Sequence, residues 1–286
     1  MHETFRTARN GPVHLSTQSF GDPQDSAVIL VMGATASMLW WPDSMCHALA
    51  NSGRFVVRFD HRDTGESTTG APGHADYDVE DLADDVIAVL DGYGLDRAHV
   101  VGMSLGGLIA QLLALRDPSR VQSLTLIAAE PLGGEPVQAE GPSASFLKHF
   151  ATMEDVDWND ANSARAFLRH IAVLSASSAR GYDQVLTEDR IDRELARASN
   201  MHAAFNHADV ACDLDRWNLR DVRVPTLVIH GAHDSIVPLA NGKAIARRVN
   251  GANLHILPDA GHELHSDDLP TIASLIVAHT NNYAIG

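Results

Sequence analysis

Residues 100–107 read VVGMSLGG. Val100 and Val101 are β-branched and suit a buried strand. The residues that follow, LIAQLLALRD, read as a helix. Between them stands Gly102-Met103-Ser104-Leu105-Gly106, a serine between two glycines where strand becomes helix. One reading is a plain tight turn, which favours glycine and tolerates serine without any chemistry. The other is a nucleophile elbow, G-x-S-x-G, in which a strained strand-to-helix turn exposes the serine hydroxyl. The second reading requires a base, an acid and a cradle for negative charge elsewhere in the chain.

Working outward, the same alternation of apolar strand and amphipathic helix recurs. The N-terminal stretch reads as two antiparallel strands hinged at Asn10-Gly11. SAVILVMG (Ser26–Gly33) is a buried strand, a helix runs from about Pro42 to Gly53, and FVVRFD (Phe55–Asp60) is the next strand. DVEDLADDVIAVLDGYG is the clearest helix, with Val79, Leu82, Val86, Ile87 and Leu90 on one face and acids in the first turn. VQSLTLIAA is again a strand. The rhythm breaks after Glu130: PLGGEPVQAEGPSAS is loop, and from about Ser145 to Asn218 the chain is helical or irregular, with Phe167, Leu168, Ile171 and Leu174 regularly spaced. VRVPTLVIHG (Val222–Gly231) resumes as strand, followed by a helix near Ala240–Val249, a strand ANLHILPD and a closing helix TIASLIVAHT. The expected class is α/β: a mostly parallel central sheet flanked by helices. Residues 1–130 and 217–286 form the core, and residues 131–216 a helical cap inserted between its halves.

The formal net charge of −16 repels phosphate backbones and anionic lipid surfaces, so neither nucleic acid nor membrane is an expected partner. No apolar run is long enough to span a bilayer, and the start, MHETFRTARN, lacks the apolar stretch of a secretory signal. Cys46 and Cys212 suggest no disulfide framework, which points to a cytoplasmic setting. The sixteen histidines are scattered without metal-ligand spacing, so no metal is expected. Asp60-His61-Arg62-Asp63 reads as a turn braced by charge pairs rather than as a reactive cluster. The sequence fixes no oligomeric state.

A serine hydroxyl is a weak nucleophile near neutral pH and needs a partner to take its proton. In a parallel sheet such partners sit on loops beyond the carboxyl ends of strands, the edge that carries Ser104. Asp234 follows the strand TLVIHG, and His262 follows the strand NLHILPD and a glycine. The chain order is therefore Ser, Asp, His. Bland readings stand beside this one: Asp234 as a helix cap, His262 as an ordinary loop histidine with His265 close by, and Glu130 as a rival acid. Asp234 is preferred because it directly follows the penultimate strand.

With these residues in view, the chain resembles an α/β-hydrolase fold enzyme with a cap domain. The stretches that carry the resemblance are VMGATAS, FDHRDTGES, VVGMSLGG, VPTLVIHGAHDSIVP and DAGHELH. VMG…LWWPDSM and RFDHRDTGEST look most like the aclacinomycin methylesterase group. The resemblance implies a serine hydrolase that cleaves carboxylic esters through an acyl-enzyme, with a small-molecule ester or lactone as substrate and no cofactor. It implies Ser104, His262 and Asp234 as nucleophile, base and orienting acid. It also implies an oxyanion hole built from the backbone N–H groups of Ala34 and Leu105. Many members have His-Gly-X where this chain has Met32-Gly33-Ala34, a change that leaves a backbone donor in place. A serine at the elbow disfavours the epoxide hydrolases and haloalkane dehalogenases of this fold, which use aspartate there. A lactonase, for example on acyl-homoserine lactones, and a cofactor-free perhydrolase remain alternatives. A non-enzymatic binding protein is least expected, since all three residues are present. Trp40, Trp158, Tyr182, His202 and Phe205 are the candidates for the pocket wall.

Overall fold

The structure, a computed structural model, describes residues 3–138, 141–213 and 216–283. Eight strands form one sheet in the order β1-β2-β4-β3-β5-β6-β7-β8. They are β1 (Glu3–Asn10), β2 (Val13–Phe20), β3 (Ser26–Val31), β4 (Arg54–Phe59), β5 (Ala98–Met103), β6 (Val121–Ile127), β7 (Thr226–Gly231) and β8 (Asn253–Leu257). The β1–β2 hairpin joins the sheet antiparallel, with β2 against β4, and all other pairs are parallel.

Strand residues alternate between two apolar layers, as the two-residue period of a strand buried on both faces demands. Ile29, Val31, Val57, Val100, Leu124 and Val228 face one core, shared with helices α2 (Val79–Gly92), α3 (Leu105–Arg116) and α7 (Leu239–Arg248). Val28, Leu30, Val56, Val101, Leu227 and Ile229 face the other, shared with α1 (Asp43–Asn51) and α8 (Leu269–Asn281). The start of α2 is fixed by a reciprocal cap: Asp78 accepts the N–H groups of Glu80 and Asp81, and Asp81 accepts that of Asp78.

One strand is shorter than its sequence suggests. The apolar run Val222–Gly231 pairs only from Thr226, because Pro225 has no N–H for the ladder. The Pro225 carbonyl still accepts the N–H of Leu124, and Val222 is buried beneath the sheet outside the strand.

Between β6 and β7 lie α4 (Ala144–Phe150), α5 (Ala161–Ser175) and α6 (Gln184–Arg197), with short 3-10 turns at 151–155 and 203–209. Phe167, Leu168, Ile191, Met201 and Phe205 form a third apolar cluster within this segment, and Trp40 packs against it from the core.

The glycines of the elbow allow very close packing. A Cβ on Gly106 would lie 2.1 Å from the carbonyl oxygen of Val31, and one on Gly102 would lie 2.2 Å from that of Gly106. These contacts are backbone against backbone and have no flexible side chain to yield. Gly106→Ala is therefore expected to destabilise the fold by about 3 kcal/mol, the upper end of ordinary overpacking, read as a lower denaturation midpoint in urea.

Candidate active site

Ser104 is the single residue between β5 and α3, with φ 51° and ψ −119°, a region that non-glycine residues rarely occupy. Its N–H is tied to the Ile127 carbonyl at 3.0 Å, while its carbonyl accepts the N–H groups of Gly107 and Leu108. Strand and helix thus both hold the turn, and the side chain faces a cavity.

His262 and Asp234 meet Ser104 from the loops after β8 and β7. His262 Nε2 lies 3.1 Å from Ser104 Oγ, and His262 Nδ1 lies 2.8 Å from Asp234 Oδ2. The other Asp234 oxygen accepts the N–H groups of Ile236 at 2.9 Å and Val237 at 2.7 Å. Asp234 braces its own turn in this way and does not cap α7, whose N-cap is Pro238. Glu130, the rival acid, is exposed, and the imidazole bonds to Asp234 instead.

Burial alone would lower the basicity of His262, but the Asp234 charge and hydrogen bond outweigh it and raise its pKa above 6.5. Burial likewise works against the Asp234 carboxylate. The His262 charge and hydrogen bond, with His230 and the Val237 N–H, win and lower its pKa. His230 approaches Asp234 to 3.6 Å, yet it is fully buried and donates Nε2–H to the Val237 carbonyl. Burial keeps it neutral.

The segment between β6 and β7 helps to hold both loops. The Ser175 carbonyl accepts the His262 N–H at 2.8 Å, and the Leu174 carbonyl accepts the Ser235 hydroxyl at 2.9 Å. A Cβ on Gly261 would strike Ser175 O and Ser177 N at 2.6 Å, so the end of α5 lies against the histidine loop.

Opposite His262, the loop after β3 is pinned by two other histidines. His61 Nε2–H donates to the Met32 carbonyl at 2.9 Å. Thr35, at φ 65°, donates its N–H to His207 Nδ1 at 3.0 Å, and His207 Nε2–H donates to the Arg62 carbonyl at 2.9 Å. The two rings meet edge to face with centroids 5.8 Å apart. Burial keeps both neutral, lowering His61 and pushing His207 down to about 3. Gly33 and Ala34 lie between the pinned residues. A Cβ on Gly33 would come within 3.2 Å of Ser104 Cβ, so glycine lets this loop approach the serine. Ala34 lines the cavity. Leu105 heads α3, where backbone N–H groups have no intrahelical acceptor, while its side chain packs into the core.

The cavity has a volume of about 330 Å³, within the range of small-molecule sites. Of the five candidates for the pocket wall, Trp40, Tyr182 and Phe205 line it. Trp158 and His202 do not. They stack on each other with ring centroids 5.4 Å apart, and Trp158 also packs against Phe167 and Phe205, inside the third apolar cluster. Large aromatics in a small helical layer are its core, and of the cluster's aromatic rings Phe150 and Phe205 reach through to the cavity. Arg190, Glu194 and Leu168 also line the wall, though nothing in their sequence context marks them. The Asp60–Asp63 turn is braced by charge pairs: Arg197 on Asp60 and Arg62 on Asp85. Tyr77 and Asn206 bond Asp63. Among the described residues no group of three histidine, cysteine or acidic side chains is placed to hold a metal ion, and no helix is long and apolar enough to cross a membrane.

A serine at a strained elbow, an imidazole at its hydroxyl and a carboxylate behind the imidazole are the parts of a serine hydrolase. The chain belongs to the alpha/beta hydrolase fold family, whose model matches residues 26–269. It is 32% identical to rhodomycin D methylesterase DnrP of Streptomyces peucetius over 96% of this chain and 97% of that protein. It is 31% identical to rhodomycin D methylesterase DauP of Streptomyces sp. (strain C5) over 94% and 95%. Among solved structures, a hydrolase from Pseudomonas aeruginosa PA01 is 26% identical and superimposes with a TM-score of 0.72, covering 98% of this chain and 97% of that one.

Proposed function

We propose that this carboxylic ester hydrolase removes the alcohol, in the first instance methanol, from a small or medium apolar ester through an acyl-enzyme on Ser104. The observation that carries the reading is the continuous hydrogen-bonded chain from Ser104 Oγ through His262 to Asp234 at 3.1 and 2.8 Å, opening on a cavity. Ser104 Oγ attacks the ester carbonyl carbon as His262 Nε2 takes its proton. Asp234 keeps the proton of His262 on Nδ1 and steadies the imidazolium. The oxyanion is met by the N–H groups of Ala34 and Leu105. His262 then protonates the departing alkoxide, and a water activated by the same imidazole releases the acid. Residues 131–216 serve as a cap that roofs the site, a role supported by Tyr182 and Phe205 on the cavity wall. The two methylesterase relatives favour a methyl ester over a lactone. The two unpaired cysteines fit a reducing compartment such as the cytoplasm.

The test is turnover of a lactone beside its own open-chain methyl ester, with a fluorophosphonate probe reading the nucleophile. The methyl ester is expected to react at least about tenfold faster in kcat/KM, a gap of about 1.4 kcal/mol, and the probe to label Ser104. Faster lactone turnover would make the protein a lactonase, and no label on Ser104 would remove the mechanism.

His207 bears on the same mechanism without touching the reacting atoms. Its ring fixes Thr35, and so the direction of the neighbouring Ala34 N–H. His207→Phe keeps a ring and deletes the acceptor. It is expected to lower kcat about 10²-fold, comparable to losing one oxyanion donor, with KM nearly unchanged. Steady-state kinetics separates this from general loosening, which would raise KM as well.

A further inference from the structure

One face of α6 meets the cavity with Arg190 and Glu194, four residues apart. They are 4% and 1% exposed. An arginine and a glutamate at this spacing ordinarily close an ion pair across the helical turn. Among the described residues no ion pair joins these two. Arg190 instead donates Nη2–H to the Leu264 carbonyl at 3.1 Å and lays its guanidinium over the Trp40 ring, 5.6 Å from the centroid. Glu194 accepts the Ser37 hydroxyl on Oε2. Each side chain is thereby anchored at one end, and each keeps a buried polar atom with no partner: Nε of Arg190 and Oε1 of Glu194.

Unpaired buried polar atoms cost free energy, and two of them one turn apart on a helix that lines a cavity call for an explanation, of which a ligand is one. The neighbouring wall is largely apolar, with Trp40, Leu168, Met201 and Phe205, but Thr187 and Glu263 also line it, and Glu263 Oε2 is likewise buried without a partner. Asp183, also on the wall, is already committed to the Leu186 N–H. Burial pushes the Glu194 carboxyl up to about 7, so near neutral pH it both accepts and donates hydrogen bonds. Burial lowers Arg190 to about 10, which leaves it a cation. The two side chains thus offer a fixed donor beside an adaptable acceptor, a short polar edge in a greasy pocket.

We propose that Arg190 and Glu194 are specificity-determining residues that bind two oxygens, a carbonyl and a hydroxyl, on one edge of an otherwise apolar acyl group whose ester reaches Ser104. Both atoms are covered in the free protein; on a small shift of each side chain toward the cavity, Arg190 Nε–H donates to the carbonyl oxygen and Glu194 Oε1 accepts from the hydroxyl. The arrangement selects oxygenated acids over plain hydrocarbon acids of the same size, because only the former satisfy both buried atoms. It rests on the esterase reading for the position of the ester but not for the recognition itself.

The test uses binding, so that it stands apart from turnover. Two methyl naphthalene-carboxylates of one ring skeleton are titrated calorimetrically into the Ser104→Ala protein, one plain and one bearing a hydroxyl and a ring carbonyl remote from the ester. The oxygenated ester is expected to bind at least about tenfold more tightly. Arg190→Met or Glu194→Leu, added singly, is expected to cut that ratio to within about threefold of unity. Glu194→Gln, which preserves shape and hydrogen bonding, is expected to retain most of it and covers the case in which Glu194→Leu fails to fold. Equal binding of the two esters, or variants that weaken both equally, would overturn the proposal. If the wild type hydrolyses neither ester while the Ser104→Ala protein still discriminates between them, the esterase reading fails and the recognition pair stands.

Discussion

Ser104→Ala is expected to lower kcat/KM for a methyl or p-nitrophenyl ester by about 10⁴-fold or more, a loss of at least about 5.5 kcal/mol of transition-state stabilisation. The substitution deletes one oxygen and leaves the packing around the elbow untouched, since the close contacts there belong to Gly102, Gly106 and Gly107. Alanine meets the same backbone strain at φ 51° as serine does, so thermal unfolding should barely move. What survives is the slow attack of water in a site that still binds and polarises the carbonyl. Fluorophosphonate labelling should vanish with the hydroxyl. Turnover within about tenfold of wild type would move the nucleophile elsewhere and undo the mechanism.

Asp234→Asn should cost about 10⁴-fold in kcat. An amide presents its N–H₂ or its oxygen to His262 Nδ1. Either the imidazole loses its proper tautomer, or it loses the charge that stabilises the imidazolium. The pH dependence gives an independent readout. The base must be neutral to accept the serine proton. In the wild type the Asp234 charge outweighs burial and lifts the His262 pKa above 6.5, so kcat/KM should fall as pH drops through a point above that value. Removing the carboxylate leaves burial as the main influence, and the acidic limb of the residual activity should move to lower pH. An unmoved limb would mean that another group titrates it.

The centre of the sheet was legible because β3 to β7 are buried on both faces and therefore read as short, largely apolar runs, from SAVILV in β3 to TLVIHG in β7. The most overextended strand shows where that signal stops. Val222 and Val224 are apolar enough for a strand, and only the missing N–H of Pro225 keeps them from pairing. Ser104, Asp234 and His262 were legible because each follows a strand end, a local feature, and because their chain order limits the choices.

The cavity wall was not legible for the opposite reason. The sequence of α6, QVLTEDRIDRELAR, is polar enough to read as a solvent-facing helix. Its Arg190 and Glu194 are buried only because Leu264 and Ser37, far away along the chain, dock against them. Trp158 and His202 drew attention as aromatics, yet they fill the interior of their own helical layer. His207 gave no signal at all, since its partners are the N–H of Thr35 and a carbonyl of the turn after β4.

The carbonyls of Leu174 and Ser175 lie outside the sheet and yet hold the turns that carry Asp234 and His262. The helices between β6 and β7 are therefore not an exchangeable module. A chimaera that grafts a foreign segment across the junctions after β6 and before β7 would inherit the sheet intact and still leave Asp234 and His262 poorly supported. Altering substrate preference by transplantation should succeed only where the donor segment brings equivalent acceptors at the end of α5, or where the recipient keeps its own last turn there.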